Sequence, residues 1–269
     1  MLPILIEPET LQTALGQDDL LLIDLCRDEV YAQSHLPGAV HVSPSELVCG
    51  IQPAVGKLPS KAQLEALFSR IGYSRDKHIV AYDDEGGGWA GRFIWTLDVI
   101  GHTGYSVLDG GLIAWASEGR PVTAEVPAVT PTDVSLTINN GPIAEKSDVL
   151  ASIDDDKTLV WDARSAEEWA GTRVVAARGG HVPGAINLDW LELMDRDNAL
   201  RLRQDLKELV DARGLGQADQ IITHCQTHHR SGLTYFAGKL LGLNIRAYHG
   251  SWSEWGNDPD TPVENPAAS

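Results

Sequence analysis

No apolar run in this 269-residue chain approaches the length that spans a bilayer. Basic residues are few: 21 Lys and Arg stand against 38 Asp and Glu, a formal net charge of −17. That balance argues against nucleic acid as a main partner, because phosphate binding needs a basic surface. It also repels anionic substrates, so an anion would need strong local donors. The opening residues, MLPILIEPETLQTALGQDDL, hold no basic segment, and acids and prolines interrupt the apolar positions, unlike a secretory signal. Cysteine is scarce too. Cys26, Cys49 and Cys225 are odd in number and widely scattered, which suits a reducing cytosol better than a disulfide framework. Neither a strand–GxGxxG–helix fingerprint nor a P-loop lysine is present, which argues against the common nucleotide sites. The rest is ordinary globular composition, 43% hydrophobic and 22% charged, enough for one large domain or two ordinary ones. The expectation is a soluble, cytoplasmic monomer with no membrane or nucleic-acid partner.

What the chain does have is an internal repeat. LLIDLCRDEVYAQSHLPGAVHV (Leu21 to Val42) parallels LVWDARSAEEWAGTRVVAARGGHVPGAINL (Leu159 to Leu188). In each, an apolar strand ends in Asp (Asp24, Asp162), an acidic helical piece follows, and His-x-Pro-Gly-Ala leads into a second apolar run. HIVAYDDEGGGWAGRFIWTLDVIGH (His78 to His102) then parallels QIITHCQTHHRSGLTYFAGKLLGLN (Gln220 to Asn244), and Trp115 falls against Trp255. A repeat this long is a duplicated domain rather than a solenoid unit. The expected division is residues 1–123, a linker at 124–142 rich in Pro, Thr and Asn, and residues 143–269. Short Val/Ile/Leu runs alternate with helical patterns in each half. An α/β fold follows, with a mainly parallel sheet flanked by helices on both faces. Leu233, Phe236, Ala237, Leu240 and Leu241 recur at helical spacing, with Gly242 as the stop.

In such folds ligands bind at the carboxyl ends of strands. Cys225 lies at one, in the segment HCQTHHRSG. A tight loop from Cys225 to Arg230, feeding a helix, turns successive backbone N–H groups inward and makes an anion-binding concavity. The same field favours thiolate over thiol. Arg230 adds a permanent charge and a fork of donors; His228 and His229 add charge or hydrogen bonds. The alternative is a buried structural cysteine, but the loop is unusually polar and basic for that. Metal is a further alternative, since His224, Cys225, His228 and His229 crowd together. Neighbouring strand side chains point to opposite faces, however, and no second Cys/His cluster exists, so no metal is expected. Asp162 and Arg164 read as a pair that holds loop and sheet together, Trp190 as a residue that could border the pocket, and Arg173 and Arg178 as solvated surface. Cys26 and Cys49 read as non-catalytic.

A strand ending in cysteine, this loop and a helix, inside a duplicated α/β domain, resembles the rhodanese family. Asp162-Ala163-Arg164, Gly180-His181-Val182-Pro183-Gly184-Ala185 and Gly250-Ser251-Trp252-Ser253-Glu254-Trp255 carry the resemblance over nearly the whole chain. The loop CQTHHR is similar to that of bacterial two-domain thiosulfate sulfurtransferases of the azotobacter and pseudomonad type. The resemblance implies an inert N-terminal domain, with Asp83 where the other half has Cys225, beside an active C-terminal one. It implies that Cys225 takes the outer sulfur of thiosulfate as a persulfide and passes it to cyanide, a thiol or a protein acceptor, by two-step covalent catalysis. Gln226, Thr227, His228, His229 and Arg230 would form the substrate cradle, Arg230 facing the sulfonate, and no cofactor would be needed. Vertebrate thiosulfate enzymes carry a lysine two residues after the cysteine, where this chain has Thr227. They carry an arginine on the helix after the Asp strand, where this chain has Glu168. Both differences leave Arg230 as the main fixed charge. Mercaptopyruvate enzymes typically have Cys-Gly-Ser/Thr-Gly, which Cys225-Gln226-Thr227-His228 does not match, so that donor ranks second. A cysteine phosphatase or arsenate reductase needs a loop one residue longer. A sulfur carrier or protein-binding module on the same scaffold is the non-enzymatic alternative.

Overall fold

The computed structural model describes residues 2–268. The chain divides into two compact units: one takes the residues up to Leu47, Pro59–Asn139 and Met194–Leu202, the other Val48–Leu58, Asn140–Leu193 and the residues from Arg203 onward. The first unit carries β1 (Leu5–Ile6), β2 (Leu20–Asp24), β3 (Val40–His41), β4 (His78–Tyr82) and β5 (Tyr105–Leu108). The second carries β6 (Ile143–Ala144), β7 (Thr158–Asp162) and β8 (Ile186–Asn187). A short antiparallel pair follows, β9 (Met194–Asp195) with β10 (Arg201–Leu202), and then β11 (Gln220–His224) and β12 (Ile245–Tyr248). Among the described residues each unit holds one five-stranded sheet, in the orders β1-β5-β4-β2-β3 and β6-β12-β11-β7-β8. Every pairing within these two sheets is parallel.

Parallel strands need crossover helices, which cover both sheet faces, and this explains the unbroken apolar runs of β4 and β11. The registers of the two sheets match. Asp162 of β7 lies opposite His224 of β11, one residue before Cys225. Asp24 of β2 lies opposite Tyr82 of β4, one residue before Asp83. The helix Arg230–Leu240 buries Leu233, Phe236 and Ala237, as its spacing predicts, and Gly242 follows it at φ +73°, the left-handed stop. The repeat extends to side chains. His35 stacks on Tyr31 and His181 on Trp169, each with ring centroids 3.9 Å apart. Trp115 and Trp255 are both fully buried, and their indole N–H groups donate to the carbonyls of Pro121 and Pro262. No helix among the described residues is long and apolar enough to cross a membrane.

Two features depart from a simple division into halves. The Pro/Thr/Asn-rich stretch does not hang free as far as Asn139. The Thr132 N–H donates to the Ser69 carbonyl at 3.1 Å, that of Leu136 to Glu65 Oε1 at 3.0 Å, and that of Asn139 to the Val99 carbonyl at 2.7 Å. The halves also exchange short segments. Within the second unit, the Leu58 N–H donates to His249 Nδ1 at 3.1 Å, and Lys57 pairs with Glu145 and Glu254. Within the first unit, Arg201 pairs with Glu7, and the Leu202 N–H donates to Asp109 Oδ1 at 2.8 Å.

Candidate active site

Cys225 follows β11 directly and is 1% exposed. Its N–H donates to Ser251 Oγ at 3.3 Å. Its carbonyl accepts from the Trp252 N–H and that of Gln226 from the Ser253 N–H, both at 2.9 Å. The loop is thus stitched to the start of the helix Ser251–Trp255, where Ser251 itself takes a left-handed φ of +53°. Arg230 opens the next helix with Ser231 directly after it, and both favour the Cys225 thiolate. Burial works against the thiolate, but Arg230, Ser231 and His229 outweigh it and hold the Cys225 thiol below its ordinary value. His228 is fully buried at φ +54°, with Nδ1 2.8 Å from Ser231 Oγ.

Asp162 and Arg164 form a buried pair behind the loop. Arg164 Nε lies 2.9 Å and 3.1 Å from the two Asp162 oxygens, one terminal nitrogen lies 2.5 Å from Oδ2, and the same nitrogen reaches the Gly180 carbonyl at 2.8 Å. Gly180 needs to be glycine: its φ is +111°, and a Cβ there would lie 2.1 Å from the Glu264 carbonyl oxygen. The Arg164 guanidinium also covers the Trp252 ring at 4.3 Å. On the other side, Glu168 binds Arg230 through both carboxylate oxygens, at 2.6 Å and 2.9 Å. Glu168 is the third residue of a short helix capped by Ser165, in a reciprocal Ser-x-x-Glu box.

The structure therefore brings together Cys225, His229, Arg230, Asp162 and Arg164, with Ser231, Ser251 and Glu168 added. Ser231 and Ser251 lie in segments already singled out, yet nothing in their spacing marks them as partners of the loop. Glu168 is legible as a helix cap but not as a partner of Arg230. Gln226 is half-buried and its amide donates to the Val175 carbonyl at 3.3 Å. Trp190 meets His229 edge-on, centroids 5.6 Å apart. Arg173 is exposed, but Arg178 is not the solvated surface residue its sequence suggests. It donates to the carbonyls of Trp255, Asp258 and Thr261 and clamps the C-terminal turn. A guanidinium has enough donors to satisfy several turn carbonyls at once, which is why an arginine is tolerated there.

Thr227 contributes through its backbone. The segment carrying Gly56 runs so close that a Cβ at Gly56 would lie 2.0 Å from the Thr227 carbonyl oxygen. Gly56→Ala must therefore displace the loop. The expected result is a loss of about 10–100-fold in kcat/KM for sulfur transfer together with a stability cost of about 1–3 kcal/mol, measured by steady-state kinetics and urea unfolding.

The equivalent loop of the first unit is filled from within. Asp83 Oδ1 accepts from the N–H groups of Glu85, Gly86 and Gly87 at 2.9 to 3.1 Å, and Oδ2 from Ala90 at 3.0 Å. A carboxylate thus sits in the concavity that would otherwise take an anion. Burial, with Glu85 adding to it, pushes the Asp83 carboxyl up to about 6 against those donors. Where the second unit has Arg164, the first has Cys26, whose thiol is driven far up by burial and then by Asp24 and Asp83. Beside that centre Arg27 pairs with Asp84 and His41 with Asp24. Asp83→Ala strips four N–H groups of their acceptor and is expected to cost about 3 kcal/mol in urea unfolding while leaving chemistry at Cys225 intact.

A low-pKa cysteine in a backbone cradle, at the carboxyl edge of a parallel sheet and in one of two duplicated α/β units, defines the rhodanese class of domain. The chain belongs to this family: the Rhodanese-like domain matches residues 7–118 and 145–258. It is 50% identical to a thiosulfate sulfurtransferase of Pseudomonas aeruginosa, over 98% of this chain and 97% of that one. It is 48% identical to a thiosulfate sulfurtransferase of Azotobacter vinelandii over the same shares. Among solved structures, YnjE superposes with a TM-score of 0.85 at 22% identity, covering 97% of this chain and 68% of that one, a likeness of fold.

Proposed function

We propose that the chain is a thiosulfate sulfurtransferase that carries sulfur as a persulfide on Cys225. The observation that carries this reading is the Cys225 thiol, held below its ordinary value by Arg230, Ser231 and His229 although it is buried. The thiolate attacks the outer sulfur of thiosulfate, the sulfur–sulfur bond of the donor breaks, and sulfite leaves with that bonding pair. The persulfide then rests among the loop N–H groups and the Ser231 hydroxyl. Cyanide or another thiophile takes the outer sulfur and returns the Cys225 thiolate, without a cofactor. Gln226, Thr227, His228 and His229 shape the cradle, Arg230 faces the sulfonate, and Asp162 with Arg164 holds the loop from behind. Close relatives that bear the name thiosulfate sulfurtransferase support thiosulfate as donor. Three free cysteines support a reducing compartment, and we place the protein in the cytoplasm as a monomer handling small-molecule donors and acceptors.

The test is intact mass before and after thiosulfate, for the wild type and for Cys225→Ala. A gain of one sulfur atom, lost on adding cyanide and absent in the variant, is the expected result. A gain that persists in Cys225→Ala, or no gain with either thiosulfate or mercaptopyruvate, would overturn the reading in favour of a carrier or a phosphatase-like protein.

A further inference from the structure

Arg230 is the fixed cation nearest the nucleophile, yet it is not held open for an anion. Glu168 grips it in a bidentate pair, and the Glu168 side chain is only 4% exposed. A guanidinium presents five donors in a rigid fork. Two of them are spent on Glu168, and the positive charge is matched at contact distance. The remaining donors can still meet a sulfonate, but Glu168 offsets part of the attraction that Arg230 offers it. The protein's net charge of −17 adds no attraction to make good the difference. Glu168 is also fixed independently of any substrate, as the partner of Ser165 in the cap of its own helix.

From this we propose that Glu168 is a specificity-determining residue: by neutralising Arg230 it sets a low affinity of the site for doubly charged sulfur donors. The proposal rests on the sulfurtransferase reading for its substrate, but its electrostatic core does not. A dianion entering beside Cys225 pays for approaching Glu168 as well as gaining from Arg230, whereas a donor of lower charge loses less. Glu168 thus tunes which donors the site accepts without touching the reacting sulfur.

Glu168→Gln tests it, because glutamine keeps the size and serves equally at the third position of a capping box. With the charge gone, KM for thiosulfate is expected to fall by about tenfold at low ionic strength, the worth of one charge-assisted contact, with kcat within about twofold. The Tm and circular dichroism of Glu168→Gln serve as the check that folding is not the cause. In parallel, sulfate binding is measured by calorimetry on Cys225→Ala and on Cys225→Ala/Glu168→Gln, in which no chemistry occurs. Tighter sulfate binding in the double variant supports the proposal even if thiosulfate proves not to be a donor, so the two readings fail separately. Unchanged sulfate affinity in the double variant overturns it.

Discussion

Replacing Arg230 with leucine is expected to lower kcat/KM for persulfide formation by about 100-fold at neutral pH. Arg230 is the largest of the influences that favour the Cys225 thiolate against burial. Removing it raises the thiol pKa, so less thiolate exists at any pH below the new value. The midpoint of the pH dependence of Cys225 alkylation must then move to higher pH, and part of the lost rate must return as the pH is raised. Arg230→Lys keeps the charge but not the fork, and should fall between. Because Arg230→Leu also strands the Glu168 carboxylate, the same measurement on Arg230→Leu/Glu168→Gln separates thiol activation from the cost of an unpaired buried charge. Alkylation by iodoacetamide, followed by mass at Cys225 across pH, decides the matter. A midpoint that stays put would mean that the helix N-terminus and Ser231 hold the thiolate unaided.

The second large effect is on stability. Arg164→Leu is expected to cost about 3–5 kcal/mol, because it leaves Asp162 ionised, fully buried and without its cation. Burial alone would raise the Asp162 carboxyl, yet Arg164 and then His224 hold it at about 2. A carboxyl depressed in the folded state stabilises the protein above its unfolded pKa, and that contribution is lost as the pH falls through the folded value. The wild type should therefore lose this contribution only as the pH falls from about 4 toward 2. In Arg164→Leu, Asp162 can take up a proton more readily, so the stability gap between variant and wild type should narrow in acid. Urea unfolding of both proteins at neutral pH and in mild acid measures it. A gap that is constant with pH would show that lost packing on Trp252 and Gly180, rather than the stranded carboxylate, is the main cost.

Much of this was legible without coordinates, and for a physical reason. Strand and helix periods are local, so the two α/β halves, their parallel sheets and the helix after Cys225 could be read from apolar spacing. The repeat did more, because it set Asp83 against Cys225 and so pointed to one active loop. The limits are as instructive. Glu168 and Arg230 are 62 residues apart, and no local pattern says that a helix-capping carboxylate will close on that guanidinium. Arg178 reads as surface because arginine is mostly exposed, but the carbonyls it satisfies belong to a turn about 80 residues away. The left-handed backbone of His228 gives no sign in a residue type that only occasionally adopts it.

By itself, then, the amino-acid sequence determined the duplicated α/β architecture through its periodicity and internal repeat, the family through a resemblance of motifs, and Cys225 as the candidate nucleophile through one polar loop at a strand end. The tertiary structure decided how that loop is armed. Folding alone brings Glu168 onto Arg230, Ser251 onto the Cys225 N–H, and the chain at Gly56 against the Thr227 carbonyl. These contacts join residues far apart in the chain, 62 residues for Glu168 and Arg230, and their energies depend on burial, which no local stretch of sequence specifies.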